Sequence, residues 1–560
     1  MRKFAIAATV GFTLGFAAVP AFAGQPAPAP KARPDFLVII ADDLGYTDIG
    51  AFGGEIPTPN LDRLASEGER FTDYHVNATC SPTRASFLTG LDHHEAGLGT
   101  MAELIAPNQQ GKPGHEGYLR RDVATIAERL GEAGYATLLS GKWHLGLTPE
   151  QDPHARGFQQ SFALLQGGHN HFGLGASQDI NVFNASYREN GRTVDSLPAN
   201  FFSSDTFADK LIGQLGKVPR SKPLFAVLTF TAPHWPLQAR PEDIARFKGR
   251  YEAGYEALRS ERLARQKQLG LLSPATVPHE IQGQKWAELS PEEQAKQARL
   301  MEIYAAMVHN LDGNVGRVVA ELKRQGRYDN TVILFFSDNG AEGLNVSDLK
   351  LGPLSDRLAK VDNSLANLGA ASSYESYGPG WAQAATSPSW LYKAFQTEGG
   401  TRSPLILKAP GFTKGGGVAR WNAHVTDVAP TILDLAGVTE KREVAGHAVK
   451  PISGKSWKAV LTGKAEAVRG PEEVIGGELF GSRKLRQGDW KITDIGDGKW
   501  RLFNLAQDPG ETRDLAAEQP ARFQALKDAW GKWAAEVGVI LADRLLPRKE
   551  LATTPGGNSK

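Results

Sequence analysis

The chain has 560 residues, of which 41% are hydrophobic and 22% are charged, and its formal net charge is +1. This composition is typical of a soluble globular protein and excludes wholesale disorder. The balanced charge gives no indication of a nucleic-acid partner or of binding to an anionic membrane surface. The length is ample for a large core and favours two domains.

The N-terminus has the three parts of a secretory signal peptide. A basic Arg2–Lys3 pair precedes the mostly apolar segment Phe4–Val19, and Ala21–Ala23 forms a small-x-small cleavage site. The apolar segment is short for a membrane span, and no cysteine follows it to carry a lipid. We therefore predict a signal peptide over residues 1–23, cleavage after Ala23 by way of the export machinery, and a periplasmic or secreted protein that does not stay in the membrane. Residues 24–34 are Pro/Ala-rich and predict an extended linker.

Four short apolar runs with helical patterns between them predict a largely parallel sheet. The runs are Asp35–Ile40, Tyr135–Leu139, Leu224–Phe230 and Thr331–Phe336. The helical patterns are Pro59–Ser66, Val123–Glu132, Ala208–Gln214 and about Glu292–Gln325. Continuous apolar runs are typical of strands buried on both faces, so the alternation indicates an α/β domain with helices on both faces, over residues 35–455.

The remaining C-terminal residues, 456–560, have a different pattern and predict a small α+β domain. Glu473–Phe480, Lys484–Ile495 and Lys499–Asn504 are interpreted as short strands in series, followed by a helix over Arg522–Val537. This order favours an antiparallel sheet packed by one helix. The charged segment Arg240–Arg299 is interpreted as solvated helix surface rather than a partner site. The polar tail from Arg548 onward is expected to fray.

Polar residues follow each predicted strand at once. Because ligands of open α/β sheets bind beyond the carboxyl ends of the strands, these residues are expected to converge at one edge. Asp42 and Asp43 follow the first run, and Asp338 and Asn339 follow the fourth. These four residues offer only oxygen donors, which select hard cations such as Ca²⁺ or Mg²⁺. The pattern predicts a metal site.

Cationic and titratable side chains are predicted at the same edge. They are Arg84, Lys142, His144, His234 and Lys393. Together with a dication they could bind a tetrahedral anion such as sulfate or phosphate and stabilise the charge that grows on a leaving oxygen. Four other histidines, His93, His94, His169 and His171, are interpreted as ordinary hydrogen-bonding residues, with the loop 169–171 as a candidate pocket wall.

Cys80 is the single cysteine of the chain. An exported protein normally pairs its cysteines, so a lone one indicates an intermolecular bridge, a free thiol or a chemically special residue. Ser81 could cap a helix and Pro82 suits a first helical position, which predicts that Cys80 lies at the positive end of a helix dipole beside Arg84. That position suits a nucleophile that attacks an anion.

The run Cys80–Arg84 matches the C-x-P-x-R signature of type I sulfatases, and Gly134–His144 matches their second signature. The remaining family positions occur in the same order: Asp42–Asp43, Pro233–His234, Asp338–Gly340, and Lys393 followed by Glu398–Gly400. From about Arg33 to Val539 the chain thus resembles this family, most closely the bacterial arylsulfatases of the pseudomonad type.

The resemblance implies the alkaline-phosphatase-like sulfatase fold and hydrolysis of small-molecule sulfate esters. It implies that a formylglycine-generating enzyme or equivalent maturase oxidises Cys80 to Cα-formylglycine. The hydrated aldehyde would attack sulfur, form a covalent sulfo-enzyme intermediate and later release sulfate.

The resemblance also implies a role for each site residue. One Ca²⁺, or less favourably Mg²⁺, would be held by Asp42, Asp43, the modified Cys80, Asp338 and Asn339. Arg84, Lys142 and His144 would hold the hydrated residue 80, with His144 as the base for elimination. His234 and Lys393 would bind sulfate and assist departure of the leaving group.

Two other functions compete with this interpretation. The first is a phosphonate monoester hydrolase or phosphodiesterase of the same superfamily, which Asn339 disfavours because those relatives often have histidine there. The second is a non-catalytic periplasmic protein that binds an anion or calcium. Such a protein needs no nucleophile, acid or base, so the joint presence of Cys80, His144 and His234 argues against it. Loops at 166–177 and 350–389 are expected to determine the leaving-group preference.

Overall fold

A single large sheet organises the protein. The computed structural model describes residues 33–174, 185–348, 356 and 358–543, together with positions 1, 5, 7, 9 and 11. The strands are β1 (Asp35–Ala41), β2 (Glu69–Phe71), β3 (Tyr74–His75), β4 (Ala136–Lys142), β5 (Gln160–Leu164), β6 (Tyr187–Glu189), β7 (Arg192–Thr193), β8 (Leu224–Thr229), β9 (Thr331–Ser337), β10 (Leu405–Lys408), β11 (Gly417–Ala419), β12 (Ala423–His424), β13 (Glu443–Val444), β14 (His447–Ala448), β15 (Val474–Leu479), β16 (Ser482–Gln487), β17 (Trp490–Asp494) and β18 (Arg501–Asn504).

The helices follow in the same chain order. They are α1 (Pro59–Glu67), α2 (Cys80–Thr89), α3 (Ile126–Glu132), α4 (Ser203–Leu215), α5 (Pro241–Ala245), α6 (Gly254–Gln268), α7 (Pro291–Arg324), α8 (Gly378–Ala385), α9 (Glu398–Thr401), α10 (Val428–Ala436), α11 (Lys458–Leu461) and α12 (Pro520–Val537). Among the described residues no helix is both long and apolar enough to cross a bilayer.

The main sheet has ten strands in the order β11-β2-β10-β9-β1-β8-β4-β5-β6-β7. Its centre is parallel: β1 pairs with β8 and β9, and β4 pairs with β8 and β5. Antiparallel pairs occur toward the two edges, where β10 joins β9 and β6 joins β5. The parallel centre brings the carboxyl ends of β1, β4, β8 and β9 to one edge, as the sequence predicts.

Helices cover both faces of this sheet, which explains why β1 is apolar from Phe36 to Ala41. Leu37 and Ile39 belong to the core on one face, whereas Phe36, Val38 and Ile40 belong to the core on the other. Because successive side chains of a strand point to opposite faces, a strand covered on both sides has no polar positions. The predicted fold class is confirmed.

A second, antiparallel sheet in the order β15-β16-β17-β18 lies near the C-terminus. Helix α12 packs on it, with Leu526 against Leu485, Ile492 and Leu502. The predicted single strand Lys484–Ile495 is wrong, because this segment contributes to two strands, β16 and β17. They are joined at Gly488, whose φ of 55° is a left-handed conformation that glycine adopts without a steric penalty.

Buried charges join this small sheet to the remainder of the protein. Lys491 Nζ lies 2.8 Å from a carboxylate oxygen of Glu398 and 2.8 Å from one of Glu511. Arg486 makes two bonds to Asp73, at 2.5 and 2.7 Å. Residues from Arg33 onward form one compact unit. The boundary between residues 455 and 456 stays a prediction.

The interpretation of Arg240–Arg299 as solvated surface is wrong for part of α6. Arg262 is fully buried: its Nε lies 2.7 Å from Glu55 Oε2, and its Nη1 lies 2.5 Å from Asp48 Oδ1. Arg259 is buried as well and donates to the carbonyls of Pro388 and Ser389. Charge composition alone does not distinguish an exposed arginine from one whose partners come from distant loops.

Several predicted segments lie outside the described residues. They are nearly all of the signal peptide, the linker up to residue 32, and the polar tail from Arg548. Parts of the two predicted pocket loops, 175–177, 350–355 and 357, lie outside them too.

Candidate active site

Side chains from separate elements converge at the carboxyl edge of the parallel strands. Asp42 and Asp43 follow β1, Asp338 and Asn339 follow β9, Lys142 ends β4, His234 lies beyond β8, and Cys80 begins α2. All of them are at least 92% buried. One ligand atom from each of Asp42, Asp43, Cys80 and His234 lies within 4.8 Å of the others. The predicted convergence is therefore observed.

The acidic groups face one another at close range. The Asp43 amide donates to Asp338 Oδ1 at 3.3 Å, and Asn339 Nδ2 donates to Asp43 Oδ1 at 2.7 Å. Asn339 Oδ1 is buried and has no hydrogen-bond partner among the described residues. A buried acceptor without a donor is costly, and a cation is one means of satisfying it.

Cys80 occupies the first turn of α2, close to these carboxylates. Its Sγ lies 3.4 Å from Asp42 Oδ1 and 3.9 Å from Asp43 Oδ1. The predicted cap is wrong, since Thr79 takes the N-cap position and Ser81 lies inside the helix. Burial raises the pKa of the Cys80 thiol well above its usual range, in spite of the nearby Lys142 and Lys393. An unmodified Cys80 is thus a neutral thiol, which is a poor nucleophile.

Arg84 and Lys142 fix the acidic groups from one side. Arg84 donates to Asp338 Oδ2 from Nε at 2.9 Å and from Nη2 at 2.7 Å, a fork that locks the carboxylate. It also donates to the Lys142 carbonyl and the Thr229 hydroxyl. Lys142 Nζ lies 2.7 Å from Asp42 Oδ2. These two cations complete the side of the pocket formed by β4 and α2.

Lys393 and His234 approach from the opposite side. Lys393 Nζ lies 2.8 Å from the Asp43 carboxylate and 3.0 Å from Glu342 Oε2. His234 Nε2 lies 3.6 Å from Asp43 Oδ2, while its Nδ1 lies 2.5 Å from the Trp235 carbonyl. That carbonyl can only accept, so Nδ1 carries a proton and Nε2 is the nitrogen that faces Asp43.

His144 is held by a carboxylate that the sequence pattern does not indicate. Its Nε2 lies 2.9 Å from Glu103 Oε1, and its Nδ1 is buried without a partner in the described chain. Gly167 leaves room for this ring, since a Cβ there would lie 2.6 Å from His144 Cε1. Glu103 thus sets the orientation of His144.

Three residues of the site have a left-handed backbone. The φ angles are 65° for Asp43, 59° for His144 and 72° for Ala394, next to Lys393. Such angles are uncommon outside glycine and cluster where the surrounding structure over-determines a functional geometry. The strain supports the interpretation that these positions serve the site rather than the fold.

The loop 169–171 lies behind His234. His171 Nε2 lies 3.0 Å from the His234 carbonyl, and its Nδ1 lies 2.7 Å from Ser203 Oγ. A Cβ on Gly168 would lie 3.3 Å from His234 Cε1. This loop therefore packs against His234, and its role as a pocket wall stays a prediction.

The charge balance favours a cation. Three aspartates and Glu342 against Arg84, Lys142 and Lys393 give a formal charge of −1. Burial raises the pKa of Asp43 to about 7, although Lys393 opposes the shift. In Asp338 the charge of Arg84 outweighs burial and lowers the pKa. A dication would turn the formal charge to +1 and match a sulfate ester, which carries −1. The donor set, oxygens of carboxylates and an amide, fits a hard cation.

Two side chains of the site are absent from the sequence prediction. Glu342 lies four residues beyond Asp338 on the same strand exit, which is a signal that could have indicated it. Glu103 belongs to a one-turn 3₁₀ helix, Ala102–Leu104, that carries no motif, and only the fold brings it to His144.

Comparison with known proteins gives consistent results. The family model described as "Sulfatase" matches residues 34–438. An uncharacterized sulfatase of Schizosaccharomyces pombe is 45% identical over 531 residues, 92% of this chain and 96% of that protein. An arylsulfatase of Klebsiella aerogenes is 39% identical over 475 residues, 84% of this chain and 99% of that protein.

Solved structures share the fold. A crystal structure of Ps i-CgsB has a TM-score of 0.65 at 25% identity and covers 90% of this chain and 93% of its own. A phosphonate monoester hydrolase of Agrobacterium radiobacter has a TM-score of 0.56 at 20% identity and covers 90% and 96%. The second likeness concerns the fold alone.

Proposed function

The chain belongs to the sulfatase family and is a sulfuric ester hydrolase, and from that premise we propose that it is an arylsulfatase whose nucleophile is Cys80 converted to Cα-formylglycine. In its hydrated form, residue 80 supplies an oxygen that bonds to sulfur as the alcohol or phenol leaves. The resulting covalent sulfo-enzyme breaks down when the second hydroxyl loses its proton, which releases sulfate and restores the aldehyde. The observation that carries the proposal is the placement of Cys80, buried 3.4 Å from Asp42 and ringed by cations.

We propose that one Ca²⁺ occupies the acidic side of the pocket. Asp42, Asp43, Asp338, Asn339 and the oxygens of modified residue 80 would hold it. The unpartnered Asn339 Oδ1 and the net negative charge of the pocket support this assignment. When bound, the ion supplies positive charge that draws an anionic ester into the pocket.

The cationic side chains act on the substrate and on residue 80. Lys142 and His144 flank residue 80 and orient it, and the unpartnered Nδ1 of His144 can accept the proton of the second hydroxyl. On the other side, Lys393 stabilises charge on the ester oxygens, and His234 assists departure of the leaving oxygen. Proton transfer of this kind contributes about 10²–10⁴ in rate, so electrostatic stabilisation supplies much of the remainder.

Mass analysis of residue 80 combined with turnover of a chromogenic aryl sulfate tests the proposal. Active protein should contain formylglycine at position 80, and Cys80→Ala should abolish turnover while the protein stays folded. Cys80→Ser serves as a matched control, because a hydroxyl restores the size but not the aldehyde. Turnover that survives Cys80→Ala, or active protein with only a thiol at residue 80, would refute the mechanism.

The phosphonate alternative is tested on the same preparation. An aryl sulfate and an aryl phosphonate monoester with one common phenol are compared by kcat/KM. We expect the sulfate to be the better substrate. A preference for the phosphonate would reassign the enzyme to the other branch of the superfamily.

We also propose that maturation precedes folding and export. Cys80 is only 1% exposed and lies under the side chains of the pocket, so a maturase needs the segment unfolded. The predicted signal peptide has no twin-arginine pair, which favours crossing of the membrane by an unfolded chain into the periplasm or medium. Formylglycine in cytoplasmic precursor that still has its signal peptide is the expected finding. Modification found only after export would overturn this order.

A further inference from the structure

A second group of metal-ligand side chains lies just beyond α2. Among the described residues, Asp92, His93 and His94 each place one ligand atom within 4.8 Å of the others. Both histidines are 1% exposed, and the Asp92 side chain is 16% exposed. The side chains of consecutive residues seldom point to the same place. Here the turn of the backbone at residues 92–94 brings the three side chains together.

His93 is held through one ring nitrogen, whereas His94 contacts a carboxylate through each of its two ring nitrogens. His93 Nδ1 lies 2.8 Å from the Leu98 carbonyl, which can only accept, so Nδ1 carries the proton and Nε2 carries the lone pair. On His94, Nε2 lies 3.4 Å from Glu478 Oε2 and Nδ1 lies 2.9 Å from Asp92 Oδ1. A metal-binding histidine is normally fixed in this way, by an acceptor on the nitrogen away from the metal.

One ring nitrogen of the group is buried without a partner. His93 Nε2 has no hydrogen-bond partner in the part of the chain that the structure describes. The ring of His115 lies 6.0 Å from that of His94, centre to centre, and neither of its nitrogens makes a well-formed hydrogen bond to the described residues. Leaving a buried polar atom unpaired is costly, so the unpaired nitrogens of His93 and His115 indicate a missing ligand.

We propose that Asp92, His93 and His94 bind one divalent transition-metal ion, with Zn²⁺ as the expected occupant. Two imidazoles and one carboxylate form a set that suits zinc, whereas calcium requires six to eight oxygens. A water molecule or His115 completes the four ligands. The site is distinct from the oxygen-lined site at Asp42, in residues and in the chemistry of its donors.

The zinc site joins two parts of the fold. Asp92 and His94 follow the helix that carries Cys80, while Glu478 belongs to β15 of the C-terminal sheet, and Trp533 of α12 meets the His94 ring edge-on at 6.1 Å. An ion here stabilises the contact between that sheet and the segment after α2. Its role is structural, so it does not depend on the proposed chemistry at residue 80.

The test uses the full chain, stripped with a chelator and then held in excess Ca²⁺ to fill the oxygen-lined site. Zinc is titrated by calorimetry, and bound zinc is counted by elemental analysis after desalting. We expect one Zn²⁺ per chain that calcium does not displace. His93→Gln should weaken this binding by more than about 100-fold, and Glu478→Gln by about 10–100-fold. The matched control is His447→Gln, which changes an exposed histidine of β14 and should retain the zinc.

A spectroscopic measurement on the unmutated chain decides the matter if a variant fails to fold. Co²⁺ bound at this site should give the visible bands of a four-coordinate nitrogen and oxygen site, and Zn²⁺ but not Ca²⁺ should remove them. Asp42→Asn should leave the zinc stoichiometry unchanged, since that aspartate belongs to the other site. Wild-type protein that retains no zinc in excess calcium would overturn the proposal. Zinc lost in Asp42→Asn, or retained in folded His93→Gln, would overturn it as well.

Discussion

Replacing Glu103 by glutamine tests how His144 is controlled. Glu103 Oε1 lies 2.9 Å from His144 Nε2, and this contact lowers the pKa of Glu103 to about 2, although partial desolvation opposes the shift. The carboxylate therefore stays ionised and holds the ring so that Nδ1 faces the pocket. Glutamine keeps the size and a hydrogen bond but removes the charge.

The expected decrease in kcat follows from the kind of hydrogen bond that is lost. A hydrogen bond to a charged group contributes about 1.5–3 kcal/mol and a neutral one about 0.5–1.5, so the exchange costs about 1–1.5 kcal/mol. That corresponds to roughly 5–13-fold in kcat. Because 44% of the Glu103 side chain is exposed, water replaces part of the lost interaction, and we expect the lower end, about fivefold. Glu103→Ala, which keeps no bond, should lie at the upper end or beyond it.

Steady-state hydrolysis of a chromogenic aryl sulfate over a range of pH is the assay. A positioning role predicts a lower kcat, a shifted pH profile and a KM that changes little, because the ester does not contact Glu103. Glu466→Gln, at an exposed glutamate, is the control. A kcat that is unchanged in both Glu103→Gln and Glu103→Ala would refute the role of this contact.

Three further predictions concern the metal, the core and the pocket wall. Chelation should remove aryl sulfate turnover and added Ca²⁺ should restore it; turnover that persists after complete removal of the metal would contradict the oxygen-lined site. Arg262→Met should lower the free energy of unfolding by about 3–5 kcal/mol, because Asp48 and Glu55 stay buried without their cationic partner. A loss below about 1 kcal/mol in urea denaturation would show that the two carboxylates are satisfied by another group. Gly167→Ala should reduce kcat by up to about 10²-fold by displacing the His144 ring, with little change in the free energy of unfolding measured in urea. Full activity would mean that the loop around residue 167 moves to accommodate the added methyl group.

The main sheet was predictable because its strands are buried on both faces. A strand such as β1 needs a run of apolar positions, here the six from Phe36 to Ala41, and this pattern is visible without knowledge of its neighbours. The residues after each strand were predictable as a group for a related reason, since parallel strands end at one edge. Asp42, Asp43, Lys142, His234, Asp338 and Asn339 are the result.

Residues that depend on distant partners were not predictable. Arg262 belongs to a charged helix, and only the positions of Asp48 and Glu55 make its burial tolerable. Glu103 lies in a single turn of 3₁₀ helix whose position is set by tertiary contacts. The hairpin at Gly488 was missed because one glycine within a run of β-forming residues fits both a continuous strand and a tight turn.

The buried charges between the C-terminal sheet and the rest of the protein affect the order in which the chain can mature. Glu398 follows Lys393 by five residues, yet its partner Lys491 is held in turn by Glu511. During synthesis, the buried network of Glu398, Lys491 and Glu511 cannot complete its ion pairs until residue 511 has left the ribosome. The contact between the C-terminal sheet and the rest of the fold thus forms only after more than 400 residues beyond Cys80 have been translated.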